Sequence, residues 1–434
     1  MINYLRHSFL KKYSIFLSDF FNPIFPFFLV SFFTFLISCS PTERFTKNEE
    51  NTSTNSTPST TLSSELRVLL SDLKANEAIK IDSPSYLYDE SKKIILIDKE
   101  TRVNCFVING AVNLYFNGNN FAAYKFFLVP AENEGKLKIN GYNYRGKIQI
   151  SSSENSVHLI NIISLEDYVK GVLAKEMPTG NGSENFEALK ALAVCIRTYA
   201  VKKLQNGNIN FDLFSDTRDQ VYGGLDAENQ ISNKAVDETK DLILKYDGTI
   251  ATLYYHSTCG GYTESSENVF TTEPIPYLRS VKDGDDPNCK ISPRFQWEEK
   301  YSKDEIIDRL IDYGLLDDAN YMLEDFAIVE RFKSGRVSEL EIKVSDKNNN
   351  EKTLVLKGNK IRSILRTSNN KSILWSTMFD VSINNNSITL TGNGFGHGVG
   401  LCQWGAIAMS RNGKNYKEIL EHYYQGTQLN KLND

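Results

Sequence analysis

An α+β fold is predicted for this chain of 434 residues, with strands and helices in separate blocks rather than in βαβ alternation. Three features point to it. Short runs of alternating polarity, separated by Gly and Asn turns, fill the stretch from Leu66 to about Ser152. Two helical segments follow one another directly. Strands and short helices then mix as far as the C-terminus.

Taken in order, the chain opens with a positive region, Arg6, Lys11 and Lys12, followed by an apolar stretch dominated by Phe27 to Ile37. That run is too short for a comfortable membrane span, and Pro23 and Pro26 stand at its start, so residues 1–38 read as an export signal. Leu36-Ile37-Ser38-Cys39 resembles a bacterial lipobox, in which Cys39 is lipidated after cleavage and anchors the mature chain to a membrane. An ordinary signal peptide with a chance cysteine is the alternative. Residues 39–64, Ser-, Thr- and Asn-rich with few apolar side chains, have too little surface to bury and read as a disordered tether.

A β-rich region is expected over 65–152, with runs such as Lys93 to Ile97, Val112 to Phe116 and Lys147 to Ile150. The main domain is expected over 153–427. Its first helix runs from Ser164 to Met177, with Ser164 as N-cap, Asp167 three positions on, and Pro178 as the stop. The second runs from about Glu184 to Gln205, with Ser183 as a plausible cap, and is apolar nearly all round, the mark of a central buried helix. Leu242 to Tyr246, Asp247-Gly248 and Thr249 to Tyr255 form a strong hairpin signal. A helix at Lys303 to Gly314 and strands at Val337 to Val344 and Lys352 to Lys357 follow. A glycine-rich strand or loop spans Gly392 to Gly400, short helices close the domain at Cys402 to Met409 and Tyr416 to Tyr424, and 428–434 is a tail.

Composition limits function. A formal charge of −5 offers no basic excess to neutralise phosphates, which argues against nucleic acid. Apolar content of 41% supports a sizeable core, and 12% aromatics is rich, as in many carbohydrate-binding grooves. Six cysteines in so long a chain make no disulfide scaffold.

Among the residues able to do chemistry, Glu176 stands out. Spacings of three and four join it to Leu165, Tyr168 and Val172 on the helix's apolar face, while Lys170 and Glu166 point elsewhere. Burial and the negative end of the helix both disfavour its ionisation, so its pKa should rise. A carboxyl protonated near neutral pH suits a general acid for a glycosidic oxygen. A buried structural glutamate paired with Arg197 or Lys175 is the competing reading. Arg197, in the apolar arc of the second helix, needs an acceptor: it is either a clamp near Glu176 or an ion pair tying two helices. His397, amid glycines at every second position from 392 to 400, is either a sugar-binding or proton-transfer group or a satisfied buried histidine. Gln403 and Trp404 offer an amide and a flat ring suited to sugar. Cys259 and Cys289 are a disulfide candidate in an exported chain, and His256 with both is the less favoured zinc reading; Cys105, Cys195 and Cys402 read as single core or surface thiols.

Several segments together resemble the SpoIID/LytB family, named for stage II sporulation protein D and an amidase enhancer: Leu165 to Pro178, Glu187 to Ala200, Asp219-Gln220-Val221-Tyr222-Gly223, Ser257 to Glu264 with Glu267-Asn268-Val269, and Gly394 to Ala406, in order over roughly 65–427. The resemblance implies a lytic transglycosylase of the cell envelope. Such an enzyme cleaves between N-acetylmuramic acid and N-acetylglucosamine in peptidoglycan strands stripped of peptides and leaves a 1,6-anhydro ring. The family's essential glutamate aligns with Glu176 and its helix arginine with Arg197; Gln220, Tyr222 and Tyr262 join the substrate-binding candidates. A single carboxyl suffices, because the sugar's own C6 hydroxyl replaces the attacking water. Asp219, Glu264 and Glu267 are the acids that could approach it in space. Some relatives bind zinc through Cys and His just before the Gln-x-Tyr motif. Phe214 to Asp219 has neither residue, so no metal is expected at that site. A non-catalytic wall-binding lipoprotein that recruits an amidase is the main alternative. A peptide-cleaving protease based on Cys259 or Cys402 is weaker, since neither thiol has a motif that places a base beside it.

Overall fold

The structure, a computed structural model, describes residues 65–434 apart from 75–76, 132–134, 154–155, 208 and 318–319. The export signal, Cys39 and the tether lie outside the described residues. Strands and helices form separate groups, an α+β architecture.

The N-terminal strands make two sheets. One holds seven strands, including Glu65–Leu73, Ser156–Ser164, Lys147–Ser153 and Lys125–Pro130; the other holds six, among them Thr101–Ile108 and Ala111–Phe116. Between them lies a core that includes Ile79, Leu87, Val103, Leu114, Phe126 and Ile148. Alternation along Thr101–Ile108, with Thr101, Val103 and Cys105 buried and Arg102 and Asn104 exposed, is the period-two pattern that reads as a half-buried strand. The seven-stranded sheet crosses residue 152: Glu65–Leu73 pairs with Ser156–Ser164 from end to end, and the latter leads directly into α1 (Leu165–Glu176).

α1 begins and ends where the sequence says. The Ser164 hydroxyl accepts the Asp167 N–H at 3.2 Å, and Met177, extended at φ −139° before Pro178, ends the helix. α2 (Phe186–Asn206) starts two residues later than expected. Ser183 does not cap it with its side chain; its carbonyl closes a turn on the Phe186 N–H, and the Asn185 amide donates instead to Pro178 O. Ala188, Leu189, Leu192, Val194 and Ile196 are fully buried, and α2 is the axis around which α1, α3 (Gln230–Glu238) and the C-terminal helices pack.

The expected hairpin forms only at its tip. Leu242–Tyr246 pairs with Thr249–Ile250 across a turn with Asp247 and Gly248 both at positive φ. The chain then leaves that sheet, and Tyr255–His256 pairs in parallel with Leu401–Cys402. The hairpin signal could not show this exchange of partners, because the new partner lies 146 positions away. Gly400 permits it: at φ +74°, a Cβ there would run into Tyr254 O.

A second core lies between α4 (Lys303–Asp312), α5 (Lys360–Leu365) and the strands from Gln296–Ser302 to Ser387–Asn393. Ser302 and Glu305 form a full capping box at the start of α4. The chain closes with α6 (Gln403–Arg411), for which Cys402 is the cap, and α7 (Tyr416–Tyr423). Residues 428–431 are not a loose tail but a strand beside Leu242–Lys245. Among the described residues, no helix is long and apolar enough to cross a membrane.

Candidate active site

Glu176 ends α1 at the wall of a cleft of ≈ 430 Å³ between the two cores. α2 contributes Tyr199 to this cleft, the 217–221 segment its backbone and Asp219, the 254–255 segment two tyrosines, α5 Arg362, and the glycine-rich loop His397. The Glu176 Oε1 accepts the Val221 N–H at 2.8 Å, and its Oε2 faces the Gln403 amide at 3.4 Å. The Tyr255 hydroxyl beside it also favours its anion. Burial pushes the carboxyl up from its ordinary pKa, while the Val221 and Gln403 bonds and the nearby Tyr255 hydroxyl oppose that by favouring the anion. Opposing influences on one carboxyl suit a group that gives and then retakes a proton.

The donors are themselves held. Tyr255 donates its hydroxyl to Gln220 Oε1 at 3.0 Å, and the Gln220 amide donates to the Tyr168 hydroxyl at 3.1 Å. This chain of bonds runs from the floor of the cleft into α1. Gln403 is the first residue of α6, so its reach to Glu176 is set by a helix start. Also in the lining, the Tyr254 and Phe270 rings stack at 4.3 Å, and His397 meets Phe270 edge-on at 4.8 Å. Flat apolar rings of this kind suit the faces of sugars.

One other acid lines the cleft. Asp219 accepts from the Tyr199 hydroxyl at 2.6 Å and from the Phe214 N–H at 2.8 Å, and pairs with Lys203 at 2.7 Å. Its oxygens are committed, so it is not a free base for activating water. Glu264 and Glu267 do not approach: Glu264 accepts from Ser265, Asn268 and Ser334, and Glu267 pairs with Arg279.

A profile of the stage II sporulation protein family matches residues 153–246, the segment that holds α1, α2 and Gln220, and a domain of unknown function matches 285–400. An uncharacterized protein of Brachyspira hyodysenteriae is 33% identical over 366 residues, covering 84% of this chain and 92% of that one. Stage II sporulation protein D of Bacillus amyloliquefaciens is 32% identical over 299 residues, 65% of this chain and 78% of its own. This chain belongs to the stage II sporulation protein D family. The same family includes an amidase enhancer of Bacillus subtilis, 31% identical over 297 residues, of which this chain covers 40%. Membership fits a cell-wall function.

In this family member several expected roles need correction. Arg197 takes the second of its two readings, an ion pair tying two helices, and is not a clamp in the cleft. It is fully buried and forks onto Glu166, Nε to Oε1 at 2.8 Å and Nη2 to Oε2 at 2.7 Å, while Nη1 donates to Leu242 O. The apolar arc of α2 faces the start of α1, so the arginine meets Glu166 and not Glu176, and Glu166 lies outside the cleft. Tyr222 is buried too, its hydroxyl on Asn161 and its ring stacked on Tyr168, out of reach of a ligand. Tyr262 is exposed and Trp404 packs against the main core, and neither lines the cleft. His397 does, but both ring nitrogens are occupied: Nε2 donates to Tyr255 O and Nδ1 accepts the Val399 N–H, while burial pushes its pKa down to about 3. It is a neutral wall group that positions Tyr255.

Cys259 and Cys289 are not joined by a disulfide; their sulfurs lie 3.4 Å apart. Cys402, read as a solitary thiol, lies beside them, and His256 is not part of that cluster. Sequence reasoning also missed Tyr255, the Val221 N–H, Phe270 and Arg362. Tyr255 stands just before the quoted Ser257 segment, at the end of the strand that the hairpin signal predicted. No local pattern marked Arg362.

Proposed function

We propose that the cleft is the active site of a lytic transglycosylase acting on peptidoglycan glycan strands, with Glu176 as its acid and base. The observation that carries this reading is a lone buried carboxyl, raised in pKa and met by two hydrogen-bond donors, in a cleft where the other acid is already satisfied. Protonated Glu176 donates to the glycosidic oxygen as the bond breaks. The resulting carboxylate, held by Val221 and Gln403, then takes the proton of the sugar's C6 hydroxyl as that oxygen closes on C1. No water is consumed, so no second carboxyl is needed.

Denuded strands expose the carboxylate of each muramic acid lactyl group. Arg362 lines the cleft and supplies complementary charge, whereas Arg218, also in the lining, is already forked onto Asp216. The stacked Tyr254–Phe270 pair supports a saccharide rather than a peptide. Export and a lipid anchor at Cys39 complete the proposal by placing the enzyme on the outer face of a membrane.

Peptidoglycan pretreated with an amidase tests this reading. Wild type should release products with 1,6-anhydromuramic ends, and Glu176→Gln should release none; equal release by both removes Glu176 from the mechanism. The amidase enhancer among the relatives favours one second reading, recruitment of an amidase without turnover. That reading expects intact glycan from wild type, together with equal stimulation of a partner amidase by wild type and Glu176→Gln.

A further inference from the structure

Away from the cleft, the Sγ atoms of Cys259, Cys289 and Cys402 and a carboxylate oxygen of Asp283 all lie within 4.8 Å of one another. All four residues are buried. They come from three separate segments: the loop after Tyr255–His256, the short 3-10 turn Asn288–Ile291 with the residues before it, and the cap of α6. We propose that this cluster is a structural zinc site, with three thiolates and one carboxylate as ligands.

The geometry supports it at several points. Tetrahedral zinc with bonds of about 2.3 Å to sulfur separates its sulfurs by about 3.8 Å. Cys259 and Cys289, at 3.4 Å, stand near that spacing and need only a small adjustment. The cluster is surrounded by backbone donors aimed at sulfur: Cys259 N–H and Gly405 N–H to Cys402 at 3.2 and 3.3 Å, and Gly261 N–H to Cys259 at 3.4 Å. Such donors stabilise thiolates rather than thiols, as in the outer shell of metal–thiolate sites. Asp283 is oriented by the Tyr423 hydroxyl at 2.7 Å and the Cys289 N–H at 2.8 Å. No Lys or Arg ion-pairs with it among the described residues, and a buried carboxylate without a cation is costly.

Arg336 completes the charge balance. It is fully buried and donates to Cys259 O at 2.6 Å and Tyr262 O at 2.8 Å, with no carboxylate bonded to it. Four anionic ligands around a divalent cation leave a net charge of 2−, which one guanidinium at the rim partly offsets. A Cys259–Cys289 disulfide would leave Cys402 and Asp283 buried beside it with no chemistry to share. Binding is a simple exchange: the metal enters and the thiol protons leave, with no change of oxidation state.

The test uses the full-length chain purified without chelators. Elemental analysis should find one zinc per chain, and Asp283→Asn should lose it to a chelator at least tenfold faster. If a variant does not fold, cobalt(II) replacement in the wild type supplies the second measurement: thiolate-to-cobalt charge-transfer bands and strong visible bands of tetrahedral cobalt are expected. Zinc-free protein with no cobalt–thiolate bands overturns the proposal, and so does a mapped Cys259–Cys289 disulfide in the native protein.

Discussion

At the scale of single residues, Glu176 has two opposing influences, and both can be read from pH. The acid must begin protonated, so activity should be lost as pH rises through its raised pKa, which places the alkaline limb above the ordinary carboxylate range. Tyr255→Phe removes a donor that favours the anion. The limb should therefore move further up. A downward shift would mean that the Tyr255 hydroxyl does not favour the carboxylate. The same burial has a stability consequence. A carboxyl whose folded pKa lies above its unfolded value is stabilising below the unfolded pKa, and that contribution is lost as pH rises through the folded one. Glu176→Gln should therefore gain thermal stability over wild type at pH 8 and lose that advantage near pH 4, as melting curves at the two pH values would show.

At the scale of elements, Arg197 and Glu166 fasten α2 to the first turn of α1. Glu166→Ala leaves a wholly buried guanidinium with only carbonyl partners and should cost about 3–5 kcal/mol, measured by denaturant unfolding. The folded fraction should keep its pH profile, because the pair lies outside the cleft. A shifted profile would return Arg197 to the catalytic machinery. Gly171 carries a similar constraint: a Cβ would lie 2.5 Å from the Tyr222 ring, so Gly171→Ala should destabilise by about 1–3 kcal/mol through overpacking. Both effects show how closely α1 is seated before Glu176 reaches the cleft.

At the scale of the whole molecule, the cleft draws on both cores. Glu176, Tyr199 and Tyr255 belong with the core around α2, whereas Arg362 comes from α5 in the second. The end of the chain closes one edge of the first core, where Gln428–Lys431 pairs with Leu242–Lys245. Removing 428–434 bares that edge and leaves its backbone groups unpaired. Hydrogen exchange should then speed up across 242–246 before it does in α2; unchanged exchange would show that the pairing adds no protection.

The sequence by itself determined what local rules decide. Ser164 and Pro178 fixed the ends of α1, Ser302 and Glu305 capped α4, and the three- and four-residue spacings put Glu176 on the apolar face. These signals act within a turn or two of chain, so no tertiary partner is needed to read them. Partners across long separations were decided only by the tertiary structure. Whether Arg197 met Glu166 or Glu176, how Tyr255 and Gln403 converged on one carboxyl, and how Cys402 came to lie beside Cys259 and Cys289 all depend on how segments pack. A residue type states what it needs, such as an acceptor for a buried guanidinium. Which acceptor it finds is set by the relative placement of elements, and periodicity within one helix holds no information about that.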